Sequence, residues 1–131
     1  MKAAEIIDKV AMQKLIAGEV KYAKQHKQHM VWVYWNYKLG QMNFLDTFQE
    51  FKEVENLYNS QGFIKDQELS NYDLSEIAKI VGSKEVKRHI FVNRQMIMNN
   101  DTAHPVEPVS LFLGDRANAG NEFVVVQIKC C

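Results

Sequence analysis

Four histidines, two cysteines and the Asp and Glu carboxylates are the side chains with which this chain could do acid–base, nucleophilic or metal chemistry. His26 and His29 are three residues apart, so a helix would place them on one face where they could share a metal ion. Lys24 and Lys27 flank them, however, and no carboxylate lies between Glu19 and Asp46. That surrounding predicts solvated histidines and no metal site. His104, beside Pro105 and three residues after Asp101, stands on a loop where a histidine near an acid can act as a general base. No Gly-x-Ser-x-Gly elbow or Gly-Lys-Ser/Thr phosphate loop accompanies it. The only thiols, Cys130 and Cys131, are adjacent, and ring strain disfavours a bridge between neighbours. They read as reduced thiols, and neither a catalytic residue nor a cofactor is expected.

Charge is informative by segment. The formal net charge of the 131 residues is zero, which argues against a dedicated nucleic-acid binder. Between Val20 and Leu45 there are four lysines and no acids, whereas Asp46 to Glu76 holds eight acids against Lys52 and Lys65. From Ser83 to Arg94 the sign reverses, with Lys84, Lys87, Arg88 and Arg94 against Glu85. Asp46, Glu50 and Glu53 fall at helical spacing, with Glu55 close by. Segregated charge of this kind steers protein association and can favour self-association.

Residues Met30-Val31-Trp32-Val33-Tyr34-Trp35-Asn36-Tyr37 contain both tryptophans. Taken with period 2, one face carries Val31, Val33 and Trp35 and the other Met30, Trp32 and Tyr34. Large apolar groups on both faces predict a central strand covered on both sides, or one face lent to a partner.

The elements that must position these residues follow from periodicity. Ile6, Ile7, Val10, Ala11 and Leu15 predict a helix over 3–16, with Gly18 close behind as a stop. A glycine costs a helix interior ~1 kcal/mol, so a hairpin strand around Val20–Ala23 is the favoured continuation. The rival is one long helix running to about residue 29. Phe44, Phe48, Phe51, Val54 and Tyr58 mark a helical face after Gly40. Asp73 with Glu76 three residues later suggests a capping box opening a helix that Gly82 ends. Strands are expected near Ile90–Met98, Val109–Leu113 and Phe123–Ile128. Leu74 to Gly82 is similar to the supporting helix of a helix-turn-helix, but Val86 follows Gly82 by only four residues. That turn is too short for the motif.

The sequence thus predicts a single α+β domain spanning residues 1–131. Two to three helices, mainly in its N-terminal two-thirds, would pack on an antiparallel sheet of four to five strands. With no signal-peptide layout and no apolar run near the ~18 residues of a membrane span, the cytoplasm is the expected compartment and no membrane partner is expected. The function expected first is non-enzymatic protein binding through Asp46, Glu50, Glu53 and Glu55, with Trp32 or Tyr34 as anchor. An alternative is a cup-like domain holding a small apolar ligand among Trp32, Tyr34, Met96, Met98 and His104, for binding or for simple acid–base chemistry. A third, nucleic-acid binding through Lys21, Lys24, Lys27, Lys87, Arg88 and Arg94, needs those cations on one surface. A homo-oligomer joined through an apolar strand face is a further expectation.

Overall fold

The computed structural model describes residues 2–5, 8–36, 41–95, 111–114 and 121–130. In chain order these form β1 (Lys2–Glu5), α1 (Lys9–Gln25), β2 (Met30–Asn36), β3 (Gln41–Leu45), α2 (Phe48–Ser60), β4 (Ile64–Asp66), α3 (Gln67–Ser70), α4 (Ser75–Val81), β5 (Glu85–Val92) and β6 (Glu122–Lys129). A further helical turn covers residues 111–113. The strands make one six-stranded sheet in the order β1-β3-β2-β6-β5-β4, antiparallel at every pairing. This is the predicted α+β class, with a larger sheet than the sequence marks.

The aromatic strand β2 lies inside the sheet, between β3 and β6, and is covered on both faces. Val31, Val33 and Trp35 join Met12, Ile16, Val20 and Ala23 of α1 and Ile77, Ala78 and Val81 of α4 in the larger core. On the opposite face Trp32 packs with Leu45, Phe91, Phe123 and Val125 beneath Phe51 of α2. The two-sided apolar alternation of β2 is therefore met by helices on both sides of the sheet.

Helix α1 corrects the favoured hairpin. It runs unbroken through Gly18 to Gln25 and takes Val20 and Ala23 into its buried stripe. Burying Met12, Ile16 and Val20 contributes about 1.5–3 kcal/mol each, which outweighs the ~1 kcal/mol helix penalty of one glycine. The helix also begins later than its periodicity suggests. Asp8 caps it, its Oδ1 accepting the Ala11 N–H at 2.8 Å, and residues 2–5 pair with β3 instead.

Helix α2 opens on Thr47, whose Oγ1 accepts the Glu50 N–H at 3.1 Å while the Glu50 carboxylate faces the same hydroxyl at 3.1 Å. Phe44, whose spacing had suggested the first turn of this helix, belongs to β3 and is fully buried. Helix α4 ends at Gly82 as predicted, with φ of 76° in the left-handed region. Its start departs from the capping box: Asp73 Oδ1 accepts the Ser75 N–H at 2.9 Å, while Glu76 pairs with Lys79 at 3.4 Å. The strand expected over Val109–Leu113 is helical at 111–113, where Phe112 is buried against Trp35 with ring centroids 5.3 Å apart. No helix among the described residues is long and apolar enough to cross a membrane.

Candidate functional site

The residues expected to bind a partner are scattered by the fold. Trp32 is 5% exposed and stacks on Phe51 with centroids 5.4 Å apart, its Nε1–H donating to Gln127 Oε1 at 3.3 Å. Tyr34 is half-buried beside Phe123 at 5.6 Å, and burial raises its pKa. Asp46 and Glu50 are half-buried, and Glu50 takes part in the α2 cap. Glu53 is exposed and accepts from Gln49 Nε2 at 3.3 Å, while Glu55 is ion-paired to Lys52 at 2.6 Å. Glu50 and Glu55 are separated by about 140° around the helix at 3.6 residues per turn, so these acids form no single face. Phe48 and Leu57, the exposed apolar residues of α2, are likewise on opposite sides of it. Met96, Met98 and His104 lie outside the described residues.

The cations are also divided. Lys24 Nζ donates to the Gly82 carbonyl, joining the end of α1 to the turn before β5. Lys21 and Lys27 are exposed on the same end of α1, and Arg94 is ion-paired to Asp66. Arg88 is buried at 6% exposure, so it is no surface cation.

The best-formed concavity lies elsewhere, beside the first half of β5. Strand β4 pairs with β5 only over Ile90–Val92, because Asp66 turns the chain out of the edge by accepting the Leu69 N–H at 2.9 Å and opening α3. Ser70 Oγ takes the next edge hydrogen bond, accepting the Ile90 N–H at 2.9 Å. Beyond that point, Glu85–His89 has β6 on one side and no strand on the other among the described residues. A cleft of about 680 Å³ lies on that side, bounded by Ser70–Ser75, the start of α4 and the turn at Ser83.

Backbone polarity along this edge follows from register. Cys130 N–H donates to His29 O at 2.7 Å, so even-numbered residues of β6 bond toward β2 and odd-numbered ones toward β5. In β5, Glu85, Lys87 and His89 are then bonded to β6, while the N–H and C=O of Val86 and Arg88 point into the cleft. The side chains of the two sets emerge on opposite faces, Lys87 and His89 on the α2 side and Val86 and Arg88 on the α4 side.

Five cationic side chains, Lys65, Lys79, Lys84, Lys87 and Arg88, line the cleft against Asp73 and Glu85. Arg88 forms its wall: Nε donates to Leu69 O and Nη1 to Phe112 O, each at 3.0 Å, and the guanidinium lies 4.1 Å from the Tyr72 ring centre. This ties α3, the turn at 111–113 and the connection before α4 to the sheet. Lys87 is paired to Glu85 at 3.3 Å and Lys79 to Glu76, whereas Lys65 and Lys84 make no ion pair among the described residues.

His89 closes the inner end. Its Nε2 is 3.2 Å from Gln127 Oε1, the oxygen that also accepts from Trp32. An oxygen can only accept, which places the imidazole proton on Nε2. Nδ1 is then an acceptor, buried with no hydrogen-bond partner among the described residues. Burial, and next the nearby Lys65 charge, lower the His89 pKa below 6.5. The basic swing at Ser83–Arg94 was the sequence signal for this region; the missing strand beside it had none.

These features define an α+β domain with a basic cleft beside β5, where no strand pairs with Glu85–His89 among the described residues. No protein-family model, curated protein or solved structure matches this chain.

Proposed function

We propose that this protein is a protein-binding domain that receives an acidic segment of its partner in the cleft beside β5. The observation that carries this reading is the charge of the cleft beside β5, which the lysines Lys65, Lys79, Lys84 and Lys87 line against Asp73 and Glu85. Protein binding was the expectation from charge segregation, but the α2 acids are dispersed, and Trp32 is enclosed in the core. The basic side of the molecule offers a concavity and two lysines, Lys65 and Lys84, without an ion pair among the described residues. A partner carboxylate between Lys65 and Lys87 would also lie near the His89 ring.

The test is an NMR titration of the labelled protein with a ten-residue peptide alternating Glu and Val, and with its Lys–Val counterpart. The acidic peptide should shift amides of residues 71–75 and 83–89, and the basic one should not. Combined Lys65→Glu, Lys84→Glu and Lys87→Glu substitutions should abolish the response, while Glu53→Lys on α2 leaves it unchanged. Equal response to both peptides, or shifts centred on α2, would overturn the proposal. Tighter binding of a single-stranded oligonucleotide at the same amides would move the reading to nucleic acid.

A further inference from the structure

We infer that the partner's acidic segment runs on past the cleft, over the turn at residues 82–84, and docks on the basic surface at the C-terminal end of α1. The inference rests on the cleft being the binding site and adds a second contact outside it. Several elements meet at this end of the sheet. Lys24 Nζ donates to the Gly82 carbonyl, Ser83 Oγ donates to the Lys129 carbonyl at 2.6 Å, and Lys129 stands opposite Glu85 in the β5–β6 register. The exposed cations gathered there are Lys21, Lys24 and Lys27 at the end of α1, Lys84 before β5 and Lys129 at the end of β6. Lys21, Lys27, Lys84 and Lys129 make no ion pair among the described residues. Of the neighbouring acids, Glu19 is half-buried and Glu85 is held by Lys87 at 3.3 Å, while α2 packs on the opposite face of the sheet. Lys84 also lines the cleft, so the two surfaces are continuous.

Two features mark this surface beyond its charge. Tyr22 is 53% exposed, and its ring is stacked on His26 with centroids 3.9 Å apart, while His26 Nδ1 lies 2.9 Å from the Tyr22 carbonyl. An exposed tyrosine already held in place is the kind of side chain that anchors a protein interface at little cost in entropy. Lys27 has φ of 57°, the one positive value at a non-glycine position among the described residues. Glycine ordinarily takes such a position after a helix, because a Cβ is strained there. The dipole of α1 favours a cation at its own C-terminus. It does not account for Lys84 and Lys129, which other elements bring to the same end. A run of carboxylates complements all of these lysines at once. The zero net charge of the chain favours a short acidic segment over a polyphosphate backbone, which needs a basic excess.

Peptide extension tests this contact separately from the cleft. The ten-residue Glu–Val peptide would be lengthened by ten residues of Glu–Gly at one end or the other, with Ser–Gly extensions as neutral counterparts. One acidic extension should bind about fivefold tighter than its neutral counterpart, the sum of several exposed ion pairs. It should also shift amides of residues 21–29, which the parent peptide leaves in place. Combined Lys21→Glu and Lys27→Glu substitutions should remove that gain, with the parent peptide still binding within about twofold of its original affinity. Lys27→Gly should raise the melting temperature, its backbone strain relieved, yet weaken the extended peptide about threefold. If acidic and neutral extensions bind alike, or the gain survives the two reversals, the α1 contact is refuted while the acidic-segment reading stands. If the parent peptide itself fails to bind the cleft, both fall. A single-stranded oligonucleotide that binds residues 21–29 more tightly than the acidic extension would overturn the contact in favour of base stacking on Tyr22.

Discussion

Gly18→Ala should stabilise this protein by about 1 kcal/mol, although glycine at this position looks like a helix stop. Gly18 lies mid-way along α1, is exposed, and is not among the glycines with positive φ, which are Gly62, Gly82 and Gly114 in the described residues. A Cβ built there meets nothing within 4 Å. The gain is therefore the helix-interior difference between the two residues, about 0.8–1.0 kcal/mol, with no steric charge against it. That is about fivefold in the folding equilibrium. In urea, with a slope of about 1.5–2 kcal/mol/M, the midpoint should rise by about 0.5 M at unchanged slope. The melting temperature should rise by about 3–5 °C. Gly82→Ala is the internal control. Its φ of 76° is strained for any L side chain, and its Cβ would meet only Lys24 Nζ at 3.9 Å, so it should lose about 1 kcal/mol through backbone strain. If Gly18→Ala lowered the midpoint as Gly82→Ala does, α1 would end at residue 18 and the continuous helix would be refuted.

Three further outcomes follow from the packing. Phe51→Ala should cost about 3–4 kcal/mol in urea unfolding and shift tryptophan emission to longer wavelength as Trp32 loses its cover; a cost under 1 kcal/mol would mean α2 does not rest on that ring. Arg88→Met should cost about 2–4 kcal/mol, because the carbonyls of Leu69 and Phe112 lose their charged donor, and Arg88→Lys should recover only part of it. His89 should titrate below 6.5 by NMR, since burial first and Lys65 second disfavour its charged form. The folded state then holds fewer protons than the unfolded chain in that window, so the stability His89 contributes is present above about pH 6.5 and lost as pH falls through its folded value. A midpoint at or above 6.5 would contradict the enclosed ring.

How much was legible in the sequence differs by element. Strand β2 declared itself because each face carries bulky apolar groups, and only a position covered on both sides accommodates them. Helix α2 was visible in Phe48, Phe51, Val54 and Tyr58, though Phe44, at compatible spacing, belongs to a strand. Short edge strands were not visible: β1 and β4 have four and three residues, too few to establish an alternation. The placement of the expected partner-binding residues was not legible either, for a related reason. Charge sign along the chain marks which segments are acidic or basic, but the α2 acids diverge around their own helix axis and Trp32 is roofed by that helix.

By itself, the sequence determined the local periodicities, the Gly82 helix stop and the charge of each segment, because these depend on residues within a few positions of one another. The tertiary structure decided the continuation of α1 through Gly18, since long-range burial of Met12, Ile16 and Val20 outweighs a local penalty of ~1 kcal/mol. It also decided where β4 ends beside β5. Beside the local Asp66–Leu69 bond, that depends on Asp66 and Ser70 meeting Ile90, twenty or more positions away, a juxtaposition that no local pattern encodes. The cleft beside β5 exists only once those pairings are made.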